Sequence, residues 1–327
     1  MYCLNVLALF LFFSSTLGSY PQYDLDKADE LFADFIKKYE RKYENVEEFH
    51  MRFEIFKRNL IKINEWNANS QYEKSGFKIT QFADRENVPS CLDVSKMNNT
   101  TPLTEVKREF IVNAPDELDY STQGLVTEVK AQGDCGDCFI FAAVANIESV
   151  HATQNPGNLV SLSEQQILDC FDKGSCSGGL PLEVLNYVAS SKGCEGEGDY
   201  PYEAVKKSCR FDASKVKVKV NAPRTFNTND DESLKAALVQ NGAPLAVGLE
   251  ATLSLKTWHG PDVFTPADCT GQPNHAVLLV GYGKDAKGVS YWKFKNSWGT
   301  DHGENGYFRF NMKNDCNFGR GQVWTAT

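Results

Sequence analysis

Beyond Leu17 the chain lacks any apolar run long enough to cross a bilayer, so no membrane-spanning helix is expected in its body. It also lacks a basic excess. The formal charge is -9, whereas a duplex binder needs a basic face, so nucleic acid is excluded as the main partner. There is no internal repeat and no low-complexity tract. Glycine is absent from Asp24 to Asn69, which favours uninterrupted helix there. Histidines number only 5. Cys135-x-x-Cys138 has the spacing of zinc ligands, but no second close Cys or His pair completes a site, so neither a metal nor an organic cofactor is expected.

The 327 residues suffice for one or two core-forming units. Leu4 to Leu17 is almost continuously apolar and is followed by small residues at Gly18 and Ser19. That pattern is expected of a signal peptide over 1–19 with a secretory destination, although the usual basic start is missing. Of the 10 cysteines, Cys3 falls in this leader and Cys91 lies upstream of the cysteine-rich zone. Cys135, Cys138, Cys170, Cys176, Cys194, Cys209, Cys269 and Cys316 remain, an even set of the kind that forms bridges in an oxidising compartment.

Three zones follow the leader. Phe32, Phe35, Ile36 and Tyr39 form one helical stripe, and Phe49, Phe53, Phe56, Leu60 and Ile63 form another. From Asn87 to Asn113 the chain is polar and irregular, with overlapping glycosylation sequons at Asn98 and Asn99, as suits an exposed, cleavable connector. From about Ala114 glycine, proline and cysteine become frequent. Cys138 opens an apolar helical run to about Thr153, stopped before Pro156, and Ser163-Glu164-Gln165-Gln166 looks like a capping box for a second helix. Strand patterns come later, at 216–220, 276–280 and 289–295. Helices first and strands afterwards predict an α+β protein with two segregated halves.

A cysteine at the first turn of a helix feels unpaired backbone N–H groups, which favour thiolate, and so Cys138 is a candidate nucleophile. Gln132 could supply an oxyanion donor beside the Cys138 N–H. The plainer alternative makes Cys135 and Cys138 both bridge halves. Of the histidines, His275 alone opens an apolar strand. A hairpin centred on Asp285 and Ala286 would set it opposite Asn296, whose amide could fix the imidazole tautomer and leave the other nitrogen to the thiol. Trp298 could then shield that bond from water. Each residue taken singly has a structural explanation, but their alignment beside a helix-start cysteine follows the logic of a nucleophile–base–orienter triad.

At this point the residues resemble papain-like cysteine proteases of the cathepsin L type. The resemblance rests on Gln132–Phe139, Cys176-Ser177-Gly178-Gly179, Asn274-His275-Ala276-Val277 and Asn296-Ser297-Trp298-Gly299, in that order. It also rests on Glu48, Arg52, Phe56, Asn59, Ile63 and Asn67, spaced to lie near one helical face. An ordinary amphipathic helix would account for Phe56 and Ile63 but not for the polar members.

The resemblance implies a two-domain fold, with a helical half and a β-barrel-like half around an active-site cleft, preceded by a helical inhibitory propeptide over 20–113. The mature peptidase would run over 114–327. It implies Gln132 as oxyanion donor, Cys138 as nucleophile, His275 as general base and acid, and Asn296 as orienting residue, in an endopeptidase made as a zymogen and using no cofactor. Bridges Cys135–Cys176, Cys170–Cys209 and Cys269–Cys316 carry over, which leaves Cys138 free and Cys194 as a buried small residue. Gly178 and Gly179 would bond an extended substrate backbone. Leu180, Pro181, Gly248 and Ala276, with Gly321 as a further candidate, would line a small apolar pocket, and Asn274 and Trp298 would complete the substrate site. Implied partners are polypeptide substrates, the chain's own propeptide and cystatin-type inhibitors. The expected form is a monomer, either lysosomal or extracellular.

The departures are Asp137 for the family's Ser, Phe139 for Trp, and His302 where a second cleft Trp is common. A carboxylate beside the thiolate should raise the cysteine pKa. These departures keep open a second reading, a catalytically weak or silent relative acting as a binding protein.

Overall fold

The computed structural model describes residues 20–86, 91–93, 103–191, 193–266, 268–316, 318 and 321–327. The leader over 1–19 and the sequons at Asn98 and Asn99 lie outside the described residues. The helices are α1 (Ala28–Lys38), α2 (Val46–Ala68), α3 (Arg108–Val112), α4 (Cys138–Gln154), α5 (Glu164–Cys170), α6 (Pro181–Ser190), α7 (Asp231–Asn241) and α8 (Leu253–Thr257). The strands are β1 (Gly76–Phe77), β2 (Leu103–Thr104), β3 (Leu118–Asp119), β4 (Cys194–Glu195), β5 (Val216–Val218), β6 (Arg224–Thr228) and β7 (Leu245–Leu249). They continue with β8 (Trp258–His259), β9 (Val263–Phe264), β10 (His275–Lys284), β11 (Ser290–Lys295), β12 (Tyr307–Asn311) and β13 (Gly321–Thr325).

The two aromatic stripes meet. Phe32 of α1 lies 5.1 Å from Phe56 and 5.2 Å from Phe53 of α2, ring centre to ring centre. Asn45 caps α2 by accepting from the Glu48 N–H at 2.8 Å. The polar members of the α2 motif face a returning extended segment. Asn59 Nδ2 donates to the carbonyls of Ala83 and Arg85, and Asn67 exchanges two hydrogen bonds with the Phe77 backbone. A purely amphipathic helix would leave those backbone groups unpaired, and burying them so would cost about 1–3 kcal/mol each.

The segment held in this way crosses to the rest of the chain. β1 pairs antiparallel with β8, Lys78 N–H donates to Thr257 O at 2.9 Å, and Thr80 Oγ1 donates to Lys256 O at 2.8 Å. Asp134 receives Arg41 at 2.7 Å and also Arg85, while Lys38 and Lys78 reach Asp301. The described residues from Leu103 to Asn113 are less irregular than their composition predicts. β2 adds parallel to β6 at the sheet edge, and α3 follows, with Lys107 N–H donating to Gln240 Oε1 of α7 at 2.8 Å. Leu103 remains about half exposed.

Behind this lid stand two halves. α4 is buried around almost its whole circumference, as a helix apolar on all sides must be, with α5 and α6 on one side and β7, β10 and β13 on the other. Ser163 Oγ caps α5 by accepting from Gln166 N–H at 3.0 Å, but the predicted reciprocal half of the box is absent. The Gln166 side chain instead bonds Gly193 O and Glu195 N–H. The strand half is a sheet in the order β2-β6-β13-β7-β10-β11-β12-β9, with β3 also on β10. Among the described residues these pairings do not close into a barrel. Its core is aromatic, built on Trp258, Trp292, Phe264, Phe294, Phe308 and Phe310.

A buried polar seam joins the halves. Lys130 Nζ donates to Glu148 of α4 at 3.1 Å and to Glu164 of α5 at 2.8 Å. Thr127 Oγ1 donates to Glu148 at 2.5 Å and accepts from Lys295 of β11 at 2.8 Å. Burial pushes Glu164 up to about 8, although Lys130 opposes it.

Candidate active site

The cleft is built where the N-terminus of α4 meets the start of β10. Cys138 is the first residue of α4, His275 the first of β10, and Asn296 follows β11 directly. All three are buried. His275 Nε2 lies 2.9 Å from Asn296 Oδ1, which also accepts from Ser297 N–H at 2.9 Å. Two donors on one oxygen fix the amide orientation, and an acceptor at Nε2 requires the proton there, leaving the Nδ1 lone pair facing the sulfurs. Trp298 stacks on the imidazole at 4.6 Å, and His302 meets Trp298 edge-on at 4.6 Å. His302 Nε2–H donates to Leu255 O at 2.8 Å, and burial lowers its pKa to about 3, so a neutral ring completes the wall in place of a second indole. Burial likewise lowers His275 to about 4, only partly offset by Asn296.

The geometry differs from the predicted hairpin. His275 does not stand opposite Asn296. Near the turn Lys284 pairs with Ser290, and past an irregularity between Leu279 and Gly281 the register sets Leu278 opposite Lys295. The extra residue, Val280, is a bulge, and it lies where β3 crosses. A Cβ on Gly281 would sit 2.1 Å from Leu118 O, so β3 needs glycine there. Asn296 therefore reaches the imidazole from beyond the strand end.

Gln132 is fixed on both sides of its amide. Ser297 Oγ donates to Oε1 at 2.6 Å and Nε2 donates to Cys135 O at 2.8 Å, which leaves a second N–H on Nε2. Asp137, the residue before α4, has no solvent exposure and makes no side-chain cap bond. Tyr202 OH donates to its Oδ2 at 2.7 Å, while Oδ1 has no partner. Burial raises its carboxyl to about 7 against the lowering effect of Tyr202. The sequence reading took Asp137 for a fixed charge; here it is a neutral acid over most of the acidic range. Phe139 is buried beneath Gly179, where a Cβ would stand 2.6 Å from its ring.

The largest correction concerns Cys138, which the resemblance leaves free. It is bonded to Cys91, and Cys91 Sγ lies 3.4 Å from His275 Nδ1. Cys138 Sγ accepts from Ala276 N–H at 3.3 Å. Three further bonds join Cys135 to Cys176, Cys170 to Cys209 and Cys269 to Cys316. Cys194 is a buried free thiol whose pKa burial pushes up. The signal available for Cys91 was that the three implied bridges leave Cys138 and Cys194 over, so that Cys91 is a third cysteine without an assigned partner.

Cys91-Leu92-Asp93 occupies the cleft as extended chain. Cys91 and Leu92 N–H both donate to Asn274 O, Asp93 N–H donates to Gly179 O, and Gly179 N–H donates to Cys91 O. Asn274 thus acts through its carbonyl, while its Oδ1 accepts from Ala251 N–H at 2.7 Å. Leu92 is buried in one cluster with Leu180 and Ala276, and a Cβ on Gly248 would meet its methyl at 2.6 Å. Pro181 opens α6 at the next position and is buried. Gly178 precedes this edge with positive φ. Gly321 pairs with Thr228, and no described atom lies within 4 Å of its Cβ position, unlike Gly248, whose Cβ position meets Leu92. Phe82 packs edge-on against Trp298 at 4.7 Å, a second contact from the N-terminal unit that sequence reasoning missed.

Comparison with known proteins agrees with this geometry. Residues 114–325 match the family model for papain family cysteine proteases, and residues 32–87 match that of the cathepsin propeptide inhibitor domain. The chain belongs to the papain family of cysteine proteases. It is 37% identical to thiol protease aleurain of Arabidopsis thaliana over 295 residues, covering 87% of this chain and 80% of that one. It is 33% identical to a viral cathepsin of Adoxophyes honmai nucleopolyhedrovirus, covering 100% and 99%. The solved digestive procathepsin L 3 of Tenebrio molitor larval midgut superimposes with a TM-score of 0.78 at 30% identity, covering 92% of this chain and 99% of that one. The protease is therefore a hydrolase carrying its inhibitor domain in the same chain, with the papain-like fold.

Proposed function

We propose that this zymogen matures, by cleavage close to Ala114, into an endopeptidase working through Cys138, His275 and Asn296. With Cys138 as thiol, His275 Nδ1 takes its proton and the sulfur attacks a peptide carbonyl. Gln132 and the Cys138 N–H stabilise the oxyanion, each donor contributing about 3 kcal/mol. His275 then protonates the leaving amine, and water, activated by the same imidazole, hydrolyses the thioester. The observation carrying this reading is the 2.9 Å contact between His275 and Asn296, which leaves Nδ1 beside the sulfurs of Cys91 and Cys138, the latter at the start of α4.

Leu92 against Gly248 supports a preference for a bulky apolar residue two positions before the cut, with Gly178 and Gly179 bonding the substrate backbone. The segment 20–113 acts as the inhibitor, because its bonds fill the groove substrate would use. By family resemblance, the enzyme is a monomer of the lysosome or extracellular space, open to cystatin-type inhibitors. The test is kcat/KM of the processed, reduced enzyme on peptides with Leu or Asp at that position. Leu should be favoured and Cys138→Ala should abolish turnover. Equal rates would sink the pocket assignment, and activity in Cys138→Ala would sink the nucleophile.

A further inference from the structure

We propose that Cys91 is a covalent latch on the nucleophile, making release of this protease dependent on thiol reduction as well as on removal of the propeptide. The proposal rests on the reading of Cys138 as nucleophile and adds to it a regulatory cysteine in the inhibitory segment.

Three observations converge on it. First, Cys91 and Cys138 are joined, and Cys91 Sγ stands beside the nitrogen that would otherwise serve Cys138. A sulfur tied in this way cannot become thiolate, which is the reactive form. Second, Cys91 is presented by structure and not by chance proximity, since backbone bonds to Asn274 and Gly179 hold Cys91 and the two residues after it, and Leu92 is anchored in the pocket next to it. Third, the bond is shielded: Cys91 is 2% and Cys138 0% exposed. A small thiol therefore reaches the bond only after the Cys91 segment lifts. Conversely, cuts on either side of Cys91 leave that peptide attached to the nucleophile. Opening and reduction are both required.

The chemistry balances with reagents of ordinary classes. In an oxidising lumen a disulfide donor XSSX accepts two electrons: the two thiols become Cys91–S–S–Cys138 and two XSH leave. On release, a thiolate RS⁻ attacks Cys91 Sγ and the sulfur–sulfur bond breaks. The electron pair departs on Cys138, the better leaving group because it lies at the α4 N-terminus with the Ala276 N–H aimed at it. A second RS⁻ attacks the outer sulfur of the mixed disulfide, giving RSSR and a Cys91 thiolate. Two RSH are consumed and two protons pass to the protein thiolates or to water. His275, Cys91 and Cys138 could together also hold a metal ion, since their ligand atoms lie within 4.8 Å of one another. The experiment separates that arrangement from the disulfide.

Full-length zymogen is alkylated unreduced under denaturing conditions and mapped by mass spectrometry. In parallel it is cut with an added serine protease, with or without a small dithiol, and exposed to a tagged epoxide warhead. The proposal expects a Cys91 peptide linked to the Cys138 peptide. It also expects wild-type labelling to rise about 100-fold or more with dithiol, and Cys91→Ser to label equally with and without it. Alkylation of both cysteines in the unreduced sample would overturn it, whether or not zinc is released. Full labelling of the wild type without dithiol would overturn it too. If no variant labels under any condition, the nucleophile assignment fails, and the mapping still decides the latch.

Discussion

Asp137→Asn should flatten the dependence of stability on pH. In the folded zymogen the carboxyl is shut away from water, with one oxygen bonded to Tyr202 and the other bare, and it titrates at about 7 instead of 3.8. The sign follows from linkage. Between pH 4 and 7 the unfolded chain ionises Asp137 while the folded chain must keep it protonated, so stability is greatest at low pH and falls as pH rises. Each tenfold change in a protonation equilibrium corresponds to about 1.4 kcal/mol, so by pH 8 the wild type should have lost about 4 kcal/mol through this one group. Asparagine keeps the shape and the acceptor for Tyr202 but has no proton to lose. Urea denaturation of the disulfide-intact zymogen at intervals from pH 4 to 8 gives both curves. The gap between variant and wild type should widen by about 4 kcal/mol across that range. Parallel curves would refute the assignment of Asp137 as a buried neutral acid.

The same group sets an activity expectation: Asp137→Ser should match wild type at acid pH and extend the alkaline limb of kcat/KM above pH 7, and superimposable profiles would contradict it. Lys130→Met strands Glu148 and Glu164 without their cation, and breaking a buried pair costs about 3–5 kcal/mol. Calorimetry should show a Tm lower by roughly 10 °C. Phe82→Ala removes a ring buried on Trp298 and should weaken propeptide inhibition in trans by roughly two to four orders of magnitude, from about 3–5 kcal/mol of lost packing. Acid should loosen the lid in two stages. Protonation of His275, held at about 4 by burial against its ordinary 6.5, destabilises the closed state as pH falls from 6.5 to 4. Below that the propeptide pairs of Asp134 and Asp301 are lost, since burial raises both carboxyls but their Arg and Lys partners prevail and hold them low. Processing rates of the reduced zymogen across pH should show both steps.

What the sequence disclosed was local in origin. The Phe32 and Phe56 stripes, the apolar run that opens α4 at Cys138 and the apolar opening of β10 at His275 all follow from the pattern of apolar residues along the chain. What it concealed depended on distant partners. The hairpin turns about Lys287 instead of Asp285 and Ala286, and the Val280 bulge, beside the contact of Leu118 with Gly281, then moves the register back by one residue. Asn59 and Asn67 looked anomalous on an amphipathic helix because the backbone they bond returns only later in the chain. Asp137 looked like an ionised carboxylate beside the thiolate, and Tyr202 with the surrounding core makes it a buried acid. Cys91 was visible as a cysteine without an assigned partner, but only its place beside His275 and Cys138 gives it a meaning.

Most direct for the central claim is the site of covalent modification. The processed and reduced protease is treated with an epoxide warhead, digested, and mapped by mass spectrometry. A single adduct on the Cys138 peptide, absent after His275→Ala under the same exposure, is the expected result. An adduct on Cys194, or none on an intact and fully reduced enzyme, would contradict the account.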